Sequence, residues 1–497
     1  MRETRRNPLP SGSGGCQRNS QTQPAHSYHA AYVWAISSVG ALGGLLFGYD
    51  WVVIGGAKPF YEKYFQLVSE SSIGWANSCA LIGCLLGSIV SGSISDRFGR
   101  KKLLILSALL FVVSSLLTAW AHSFSSFVTW RIAGGVAIGI ASNVSPTYIA
   151  EVSPARWRGR LVTLNQLTIV VGILAAQIVN WLIADPVPEG ATAELIRQSW
   201  NGQYGWRWMF TAVAAPSLIF FFAAMFIPES PRWLVKIGAN QRARRTLARI
   251  GGEEYGDETI AEIQATLNTD GQSVALWREL RTPYILKLLS IGVCLAVLQQ
   301  WSGINIIFNY AEEIYRNAGY GVSSILFNIV ITGTINLVFT LVALGLVDKF
   351  GRRALMLFGC AGIALSHTVL GLAYRSGTKG FPVLVLTLCA IACYALSLAP
   401  VTWVLISEIF PNRVRGFAVS VSVSVLWLAS FLLTLTFPML HGVLGPARTF
   451  WIYAAVCLAG FLFVFWRVPE TKGRTLEQIE HEFAGTEQRP RSDATSA

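Results

Sequence analysis

One carboxylate stands out because it interrupts a long apolar stretch. Asp50 follows residues 30–49, which contain no charged side chain. An ionised carboxylate is costly in hydrocarbon, so an acid in such a place is either protonated or paired with a cation. A group of this kind binds and releases a proton when its surroundings change. Proton binding coupled to movement is therefore the first chemistry that the sequence indicates.

Arg131 is the best candidate partner for Asp50. It lies in a second apolar stretch, FVTWRIAGGVAIGIAS, and Gly135 and Gly139 follow it at four-residue intervals on the same helix face. Each charge is unfavourable alone, and pairing offsets much of that cost. Burial favours the protonated carboxyl and a nearby guanidinium favours the ionised one, so a movement that separates them would change proton binding. The alternative is a purely structural ion pair.

Amide and indole side chains in other apolar stretches form a second set. In a membrane they are expensive unless they have partners. Amides supply neutral donors and acceptors, and indoles supply flat apolar faces, which together suit an uncharged ligand rich in hydroxyl groups. The residues concerned are Gln166, Gln299, Gln300, Asn305, Asn309, Asn336 and Trp403. The alternative is that each one only bonds a neighbouring helix.

Helix breaks would be needed to gather some of these side chains. On an unbroken helix Gln300 and Asn305 would lie about 140° apart. Ser302-Gly303 lies between them and offers a break that would let both face one cavity. Pro400, just before Trp403, predicts a kink in a second helix.

The whole chain provides membrane helices that would hold these groups. Of its 497 residues, 53% are hydrophobic and 13% are charged, whereas soluble proteins carry about 25% charged residues. The apolar stretches are continuous, without the alternation of barrel strands, and twelve are long enough to cross a bilayer as helices. Their approximate bounds are 31–57, 73–94, 103–121, 125–147, 161–184, 208–227, 284–310, 324–346, 354–374, 382–406, 416–440 and 447–467. We therefore predict an all-α polytopic membrane protein.

The distribution of charge predicts the orientation of the chain. If the N-terminus is cytoplasmic, the short inner loops are richer in Lys and Arg than the outer loops, which places both termini in the cytoplasm. The basic residues behind the net charge of +12 thus lie between the spans, so this charge does not indicate nucleic-acid binding. The predicted parts are a disordered N-terminal tail (1–30), a six-helix bundle (31–227), a cytoplasmic linker with short helices (228–283), a second six-helix bundle (284–467) and a C-terminal tail (468–497).

Three short patterns occur twice, which divides the chain into related halves. DRFGRK recurs as DKFGRR, EVSPARWRG as EIFPNRVRG, and PESPR more loosely as PETKG. Six helices per half bring both halves into the membrane from the same side. The charges of these patterns lie at cytoplasmic helix ends, where they would either pair with other helices and gate that face or only enforce topology. The candidate gate residues are Arg100, Glu151, Arg158, Glu229, Arg352, Glu408, Arg415 and Glu470.

These motifs resemble those of the sugar porter family within the major facilitator superfamily. The likeness extends from about residue 31 to 480, and its most specific pieces are LGGLLFGYD, SDRFGRK, PTYIAEVSP, PESPRWL, QQWSGIN, NLVFTLVALGLVDKFGRR, WVLISEIFP and VPETKGRTLEQIE. The resemblance implies the major facilitator fold, with twelve transmembrane helices in two pseudo-symmetric six-helix bundles. It also implies a sugar or polyol as substrate, and a proton-linked role for Asp50, where facilitative relatives carry a neutral residue.

The resemblance also identifies residues that would contact the sugar. Three positions depart from the pattern of proton-coupled xylose carriers, because Ile173 and Leu426 replace polar Gln residues and Asn309 replaces a Tyr. Each lost hydrogen bond would change affinity by about 1 kcal/mol, so the particular sugar stays open. The positions that match sugar contacts of the family are Gln166, Gln299, Gln300, Asn305, Asn336 and Trp403, and Trp427 matches a residue that lines the same pocket.

The expected function is symport of a monosaccharide, such as xylose, glucose, galactose or arabinose, with a proton across the plasma or inner membrane. The alternatives are a myo-inositol or polyol symporter, a facilitative sugar uniporter and, in another class, a sugar sensor that does not transport. An enzyme is not expected, because the sequence has no phosphate loop, metal-spaced His/Cys cluster or nucleophile elbow. The expected partners are a sugar, a proton and the lipid bilayer, with no cofactor, metal or nucleic acid, and a monomer is expected to suffice.

Overall fold

The architecture comes from a computed structural model that describes residues 27–188, 190–269, 282–411, 414–470 and 472. The tails predicted at 1–30 and 468–497 therefore lie almost wholly outside the described residues. Within the described ranges the regular structure is helical throughout. The predicted all-α class is confirmed.

The helices fall into two halves that are joined by a linker, and they are numbered in chain order. The first half contains α1 (Ala30–Tyr64), α2 (Glu70–Phe98), α3 (Arg100–Ala119), α4 (Phe124–Val152), α5 (Ala155–Ile183), α6 (Ala193–Gln198), a π-helical turn (Asn201–Gly205), α7 (Trp206–Ala212) and α8 (Ala214–Phe226). The linker contains α9 (Pro231–Lys236) and α10 (Asn240–Thr269). The second half contains α11 (Pro283–Trp301), α12 (Ile304–Asn309), α13 (Ala311–Asn317), α14 (Val322–Phe350), α15 (Arg352–Arg375), α16 (Phe381–Leu396), α17 (Leu398–Glu408) and α18 (Arg415–Arg467).

Eleven helical segments of the described chain are long and apolar enough to cross a membrane. The last one, α18, contains 53 residues and would be roughly 80 Å long if it were straight, far more than a bilayer requires. It turns sharply at Gly445, where φ is +75°, and so supplies two spans. The predicted fold of twelve spans is confirmed.

Two span boundaries differ most from the prediction, because charged residues lie inside helices. The first span continues to Tyr64 instead of ending near residue 57. Lys58 and Glu62 are four residues apart on this helix and pair at 3.0 Å, so their charges are compensated there. The sixth span begins at Asn201 instead of 208. Arg207 near its start donates hydrogen bonds at 2.7 and 3.0 Å to two carbonyl groups at the end of α3.

Small residues let the helices of the first half approach closely. Gly48 of α1 lies against the backbone of Ile169 in α5, and Gly172 of α5 lies in the same way against α1. Gly135 of α4 packs against the carbonyl group of Ala80 in α2, and a Cβ at any of these glycines would overlap backbone atoms. Lipid provides no hydrophobic force between helices, so such close van der Waals packing holds the bundle together.

Two spans of the second half are interrupted. The seventh span consists of α11 and α12, and between them Gly303 has φ of +83°, a conformation that favours glycine. The predicted break at Ser302-Gly303 is confirmed. The tenth span consists of α16 and α17, which meet at Ser397 and not at Pro400. The break precedes Pro400 because a proline ring clashes with the carbonyl group one turn earlier in a helix.

The repeated DRFGRK-type motifs form matching helix caps at the cytoplasmic face. Gly99, with φ of +95°, joins α2 to α3. Glu229 accepts hydrogen bonds there from the backbone N–H groups of Arg100 and Lys101, at 2.9 and 3.1 Å. Glu470 caps the start of α15 in the same way, at 2.9 and 3.1 Å. A carboxylate at a helix N-terminus is also favoured by the helix dipole, which explains why both repeats carry an acid.

We expect Gly99→Ala to lower the melting temperature of the detergent-purified protein more than Gly377→Ala. Both glycines have positive φ, +95° and +73°, and such a backbone costs other residues about 1–3 kcal/mol. Only at Gly99 would the new methyl group overlap the carboxylate of Glu229, because Gly377 has open space around it. Thermal unfolding followed by fluorescence measures the difference. Equal shifts for the two variants would contradict this explanation of the cap.

Candidate functional site

The carboxylate of Asp50 and the guanidinium of Arg131 meet between α1 and α4. Asp50 Oδ1 accepts a hydrogen bond from Arg131 Nη1 at 3.0 Å. Arg131 Nη2 also donates to the backbone carbonyl of Asp50 at 3.4 Å. Both residues are buried, with exposed fractions of 2% and 3%. Removing one partner would leave the other charge buried and unpaired, so this contact strongly constrains the positions of both helices.

Part of this ion pair is left unbonded. Asp50 Oδ2 and Arg131 Nε have no hydrogen-bond partner among the described residues. The guanidinium also lies 5.4 Å from the centre of the Phe210 ring, whose face attracts a cation. The pair therefore leaves one carboxylate oxygen and one guanidinium N–H available to other partners.

A cavity lies between the two halves, next to this pair. Helix α1 contributes Phe47 and Trp51, which flank Asp50 in the sequence. The other lining residues are Gln166, Ile169, Val170 and Ile173 of the first half and Gln299, Gln300, Asn305, Phe308, Asn336, Tyr394, Ala399, Trp403, Leu426, Trp427 and Ser430 of the second. Since α1 carries both the carboxylate and part of the cavity wall, a movement of α1 affects both.

All but one of the predicted ligand-binding residues line this cavity. Those that do are Gln166, Gln299, Gln300, Asn305, Asn336, Trp403 and Trp427. Asn309 does not, which corrects the sequence-based expectation. It is the last residue of α12 and lies beside Gly55 of α1, farther from the cavity. Within α12, Asn305 meets Gln300 at the cavity, whereas Asn309 lies against α1.

The amide groups of the seventh span form a chain of hydrogen bonds. Asn305 Nδ2 donates to Gln300 Oε1, and Gln300 Nε2 donates to Gln299 Oε1 at 3.3 Å. Gln299 Nε2 then donates to the carbonyl groups of Leu398 and Ala399 at 3.2 and 3.3 Å. The break at Gly303 brings the first two amides together, and the break at Ser397 frees the carbonyl groups that complete the chain.

Aromatic side chains from opposite halves meet across the cavity. Phe47 and Trp427 have ring centres 5.5 Å apart, and Trp51 and Phe308 have ring centres 6.3 Å apart. Nε1 of Trp427 is buried without a hydrogen-bond partner among the described residues, so it is a donor available to a ligand. These rings offer flat apolar faces on both sides of the space.

The cavity wall is polar in places but carries no charge. Within the described parts of the chain, every residue that lines it is uncharged. Ile173 and Leu426 are among these residues and are apolar where an amide would add a hydrogen bond. Neutral amides, indoles and aromatic faces suit an uncharged molecule with several hydroxyl groups, and a charged substrate would find no counter-ion in this wall.

Four of the candidate gate residues form two ion pairs, each between helices of one half. Arg100 Nε lies 3.0 Å from Glu151 Oε2 and joins α3 to α4. Arg352 Nη2 lies 3.2 Å from Glu408 Oε1 and joins α15 to α17. The remaining predicted acids, Glu229 and Glu470, are the carboxylates that cap α3 and α15. The structure therefore places these groups at matching positions in the two halves.

Arg158 and Arg415 bond backbone carbonyl groups, and Arg158 of α5 reaches the neighbouring helix α4 in this way. Arg158 Nε donates to the carbonyl of Ala150 at 3.0 Å, and Arg415 Nε donates to the carbonyl of Phe410 at 3.3 Å. Both acceptors lie just before the turn that precedes the arginine, because a proline in each motif interrupts the helix there. These arginines satisfy carbonyl groups near the turns between helices.

Some residues near these sites could be identified from the sequence, and others could not. Trp51 and Phe47 flank the carboxylate, and their aromatic character next to Asp50 was a usable signal. Lys58 is almost fully buried at the outer end of α1, where it lies 3.2 Å from Glu312 of α13. The four-residue spacing of Lys58 and Glu62 indicated a helical pair, but no local pattern indicated the partner from the other half.

Comparisons with known proteins agree with this geometry. A model of the family described as "Sugar (and other) transporter" matches residues 36–483. The D-xylose-proton symporter of Escherichia coli (strain K12) is 37% identical over 488 residues, which cover 91% of this chain and 96% of that protein. The glucose transport protein of Synechocystis sp. is 39% identical over 474 residues, which cover 93% of this chain and 100% of that protein.

Solved structures of the E. coli xylose transporter XylE are also similar. Its inward-open conformation has a TM-score of 0.79 and 36% identity, with 91% of this chain and 100% of that chain covered. The major facilitator superfamily proton:xylose symporter XylE bound to 6-bromo-6-deoxy-D-glucose has a TM-score of 0.76 and 36% identity, with 92% and 100% covered. The chain therefore belongs to the sugar porter family of the major facilitator superfamily, and it is a multi-pass membrane transporter and not an enzyme.

Proposed function

We propose that this protein is a secondary active transporter that moves a monosaccharide together with a proton by alternating access. The observation that carries the proposal is the buried Asp50–Arg131 pair on the same helix as two residues of an uncharged cavity wall. A uniporter would not need an ionisable group in this costly position. The names of the relatives, which include D-xylose-proton and arabinose-proton symporters, support the same function.

The proposed roles follow from the chemistry of each group. The amide chain of Gln299, Gln300 and Asn305 exchanges some of its internal hydrogen bonds for bonds to sugar hydroxyl groups. Gln166 and Asn336 add donors and acceptors from the two halves, and Trp403 and Trp427 add ring faces and indole N–H groups. The two halves then rock around the bound sugar, so that the cavity opens to one side of the membrane at a time.

Proton binding and release depend on the same movement of the two halves. In this mechanism Asp50 takes up a proton when the cavity is open to the outside and the guanidinium has moved away. The return of Arg131 favours the ionised carboxylate, and the proton leaves toward the cytoplasm. Because α1 carries Asp50 between Phe47 and Trp51, sugar binding and proton binding both act on the position of one helix.

The charged cytoplasmic motifs support gating in this proposal by keeping the helix ends of each half together. Arg100–Glu151 and Arg352–Glu408 hold helix ends together within each half, and Arg158, Arg415, Glu229 and Glu470 satisfy the neighbouring backbone groups. Each half then moves as a rigid unit, and the inner face opens without loss of helix ends. A single chain contains the cavity and the proton-binding pair, so we propose that the monomer transports, with no nucleic acid, metal or cofactor involved.

Asp50→Asn should abolish sugar-driven proton uptake in proteoliposomes and leave exchange of labelled sugar largely intact. The amide retains the shape of the side chain but does not ionise, so the sugar still moves while the proton does not. External alkalinisation on adding sugar measures the first activity, and counterflow measures the second. Asp185→Asn is a suitable control, because Asp185 is an exposed aspartate at the outer end of α5.

The substrate should be tested in the same vesicles. Labelled pentoses, hexoses and myo-inositol, each with and without an uncoupler, separate symport from facilitated diffusion and sugars from polyols. Uphill accumulation that survives in the Asp50→Asn variant would refute the coupling role of Asp50. Transport that the uncoupler does not affect in the unmodified protein would favour a uniporter.

Gln300→Leu should raise the sugar concentration for half-maximal exchange about tenfold, since the loss of one or two hydrogen bonds of about 1 kcal/mol each has this effect. Asn309→Leu should change it less than about twofold, because Asn309 does not line the cavity. Counterflow at several sugar concentrations measures both. An effect of Asn309→Leu as large as that of Gln300→Leu would contradict the assignment of the binding residues.

A further inference from the structure

A second cluster of charges, which is largely buried, lies at the outer face. We call it the Lys58 cluster, and it consists of Lys58, Glu62, Glu312, Glu313 and Arg316. Lys58 Nζ lies 3.0 Å from a carboxylate oxygen of Glu62 and 3.2 Å from one of Glu312, and it also donates to Glu313 Oε1. Arg316 Nη1 lies 2.6 Å from the other oxygen of Glu312. One lysine is thus surrounded by three carboxylates.

This cluster joins the two halves where the outer face is closed. Lys58 and Glu62 belong to α1, and the other members belong to α13 of the second half. Lys58 is 1% exposed, and Glu62 and Glu312 are 5% and 4% exposed. Nearby, Gly55 of α1 lies directly against the backbone of α12. The cluster is eight residues, or about 12 Å, farther out along α1 than Asp50, so it is a separate site.

The charges of the cluster do not balance. Three carboxylates contact two cations, Lys58 and the exposed Arg316, so the direct contacts leave one negative charge without a paired cation, and Lys63 acts on Glu62 and Glu312 only from a greater distance. Such a charge is costly, and binding of a proton removes it. Oε2 of Glu313 is buried and has no hydrogen-bond partner among the described residues, so a proton can be held there. Burial raises the pKa of Glu313 to about 7, against the opposing attraction of Lys58.

We propose that the Lys58 cluster is a second proton-binding site, which takes up one proton from the outer solution as the outer face closes. When the halves separate, Lys58 and Glu62 leave together as a neutral pair, and Glu312 stays with Arg316. Glu313 then faces water and ionises, so the proton returns to the outer solution. The site therefore does not add to the number of protons moved per sugar.

A consequence of this cycle is that acid outside favours the closed outer face. Protonation stabilises the closed state below the raised pKa of Glu313, and this stabilisation is lost as the external pH rises through that value. The inference rests on the alternating access of the proposed function but not on coupling through Asp50. The two proposals can therefore fail independently.

Other titratable groups face the cluster, and the experiment must distinguish them. Tyr61 and Lys63 lie on α1, and the Tyr310 ring is centred 5.4 Å from Lys58 Nζ. His441 of α18 approaches α13 through Asn317 at 3.0 Å. Tyrosine and lysine side chains in general titrate near pH 10, and of these residue types only histidine titrates in the same range as the proposed site. A signal that belongs to carboxyl groups alone avoids this overlap.

Infrared spectroscopy of the purified protein supplies such a signal, because a protonated carboxyl group has its own C=O stretching band. In a titration from about pH 5 to about pH 9, the unmodified protein should lose one such band near neutral pH, and Asp50→Asn should do the same. Glu313→Gln and Glu62→Gln should each abolish this loss, because either substitution balances the charges of the cluster. Glu70→Gln is the control, since Glu70 is an exposed glutamate of the outer face, and it should behave like the unmodified protein.

Lys58→Met provides an independent variant. Removal of the cation leaves more uncompensated negative charge, so its carboxyl bands should persist to higher pH than in the unmodified protein. The proposal is overturned if the unmodified protein shows no carboxyl titration near neutral pH. It is also overturned if the titration survives in Glu313→Gln or Glu62→Gln, if Asp50→Asn removes it, or if Lys58→Met leaves it unchanged.

Discussion

Hydrocarbon supplies neither water nor counter-ions, so each charge buried between these spans depends on a partner from another helix. The pair of Asp50 and Arg131 is the central case, because it holds α1 against α4 and leaves one carboxylate oxygen unbonded among the described residues. The close approach of α1 to α5 at Gly48 fixes the same helix from the other side. The position of α1 in turn places Phe47 and Trp51 in the cavity wall. One ionic contact thus influences the whole centre of the protein.

The polar part of the cavity depends on interrupted helices. A continuous helix satisfies its own backbone groups and presents each face in a fixed direction. The left-handed residue Gly303 turns α12 so that Asn305 reaches Gln300, and the break at Ser397 provides carbonyl acceptors for Gln299. The second half therefore contributes most of the hydrogen-bonding groups. The first half contributes the ionisable pair, so the two related bundles have different tasks.

Several site residues were predictable because their signals are local. Asp50 and Arg131 each break an apolar stretch, and the Ser302-Gly303 dipeptide marks a helix break. Asn309 shows where this reasoning ends, because it shares a helix with Asn305 and yet lies beside Gly55 of α1, outside the cavity lining. Arg158 shows a second limit, because the sequence leaves its partner open and the structure gives it the carbonyl group of Ala150 in α4.

The sequence by itself determined the twelve spans, the two related halves and the types of side chain at the site. It could do so because apolar length, helical spacing and repeated motifs are properties of neighbouring residues. Only the tertiary structure decided which side chains meet across the two halves. Lys58 and Glu312 are 254 residues apart, and their contact exists because α1 and α13 pack together at the closed outer face. Such a contact depends on how the bundles are placed relative to each other, and no local spacing encodes that placement.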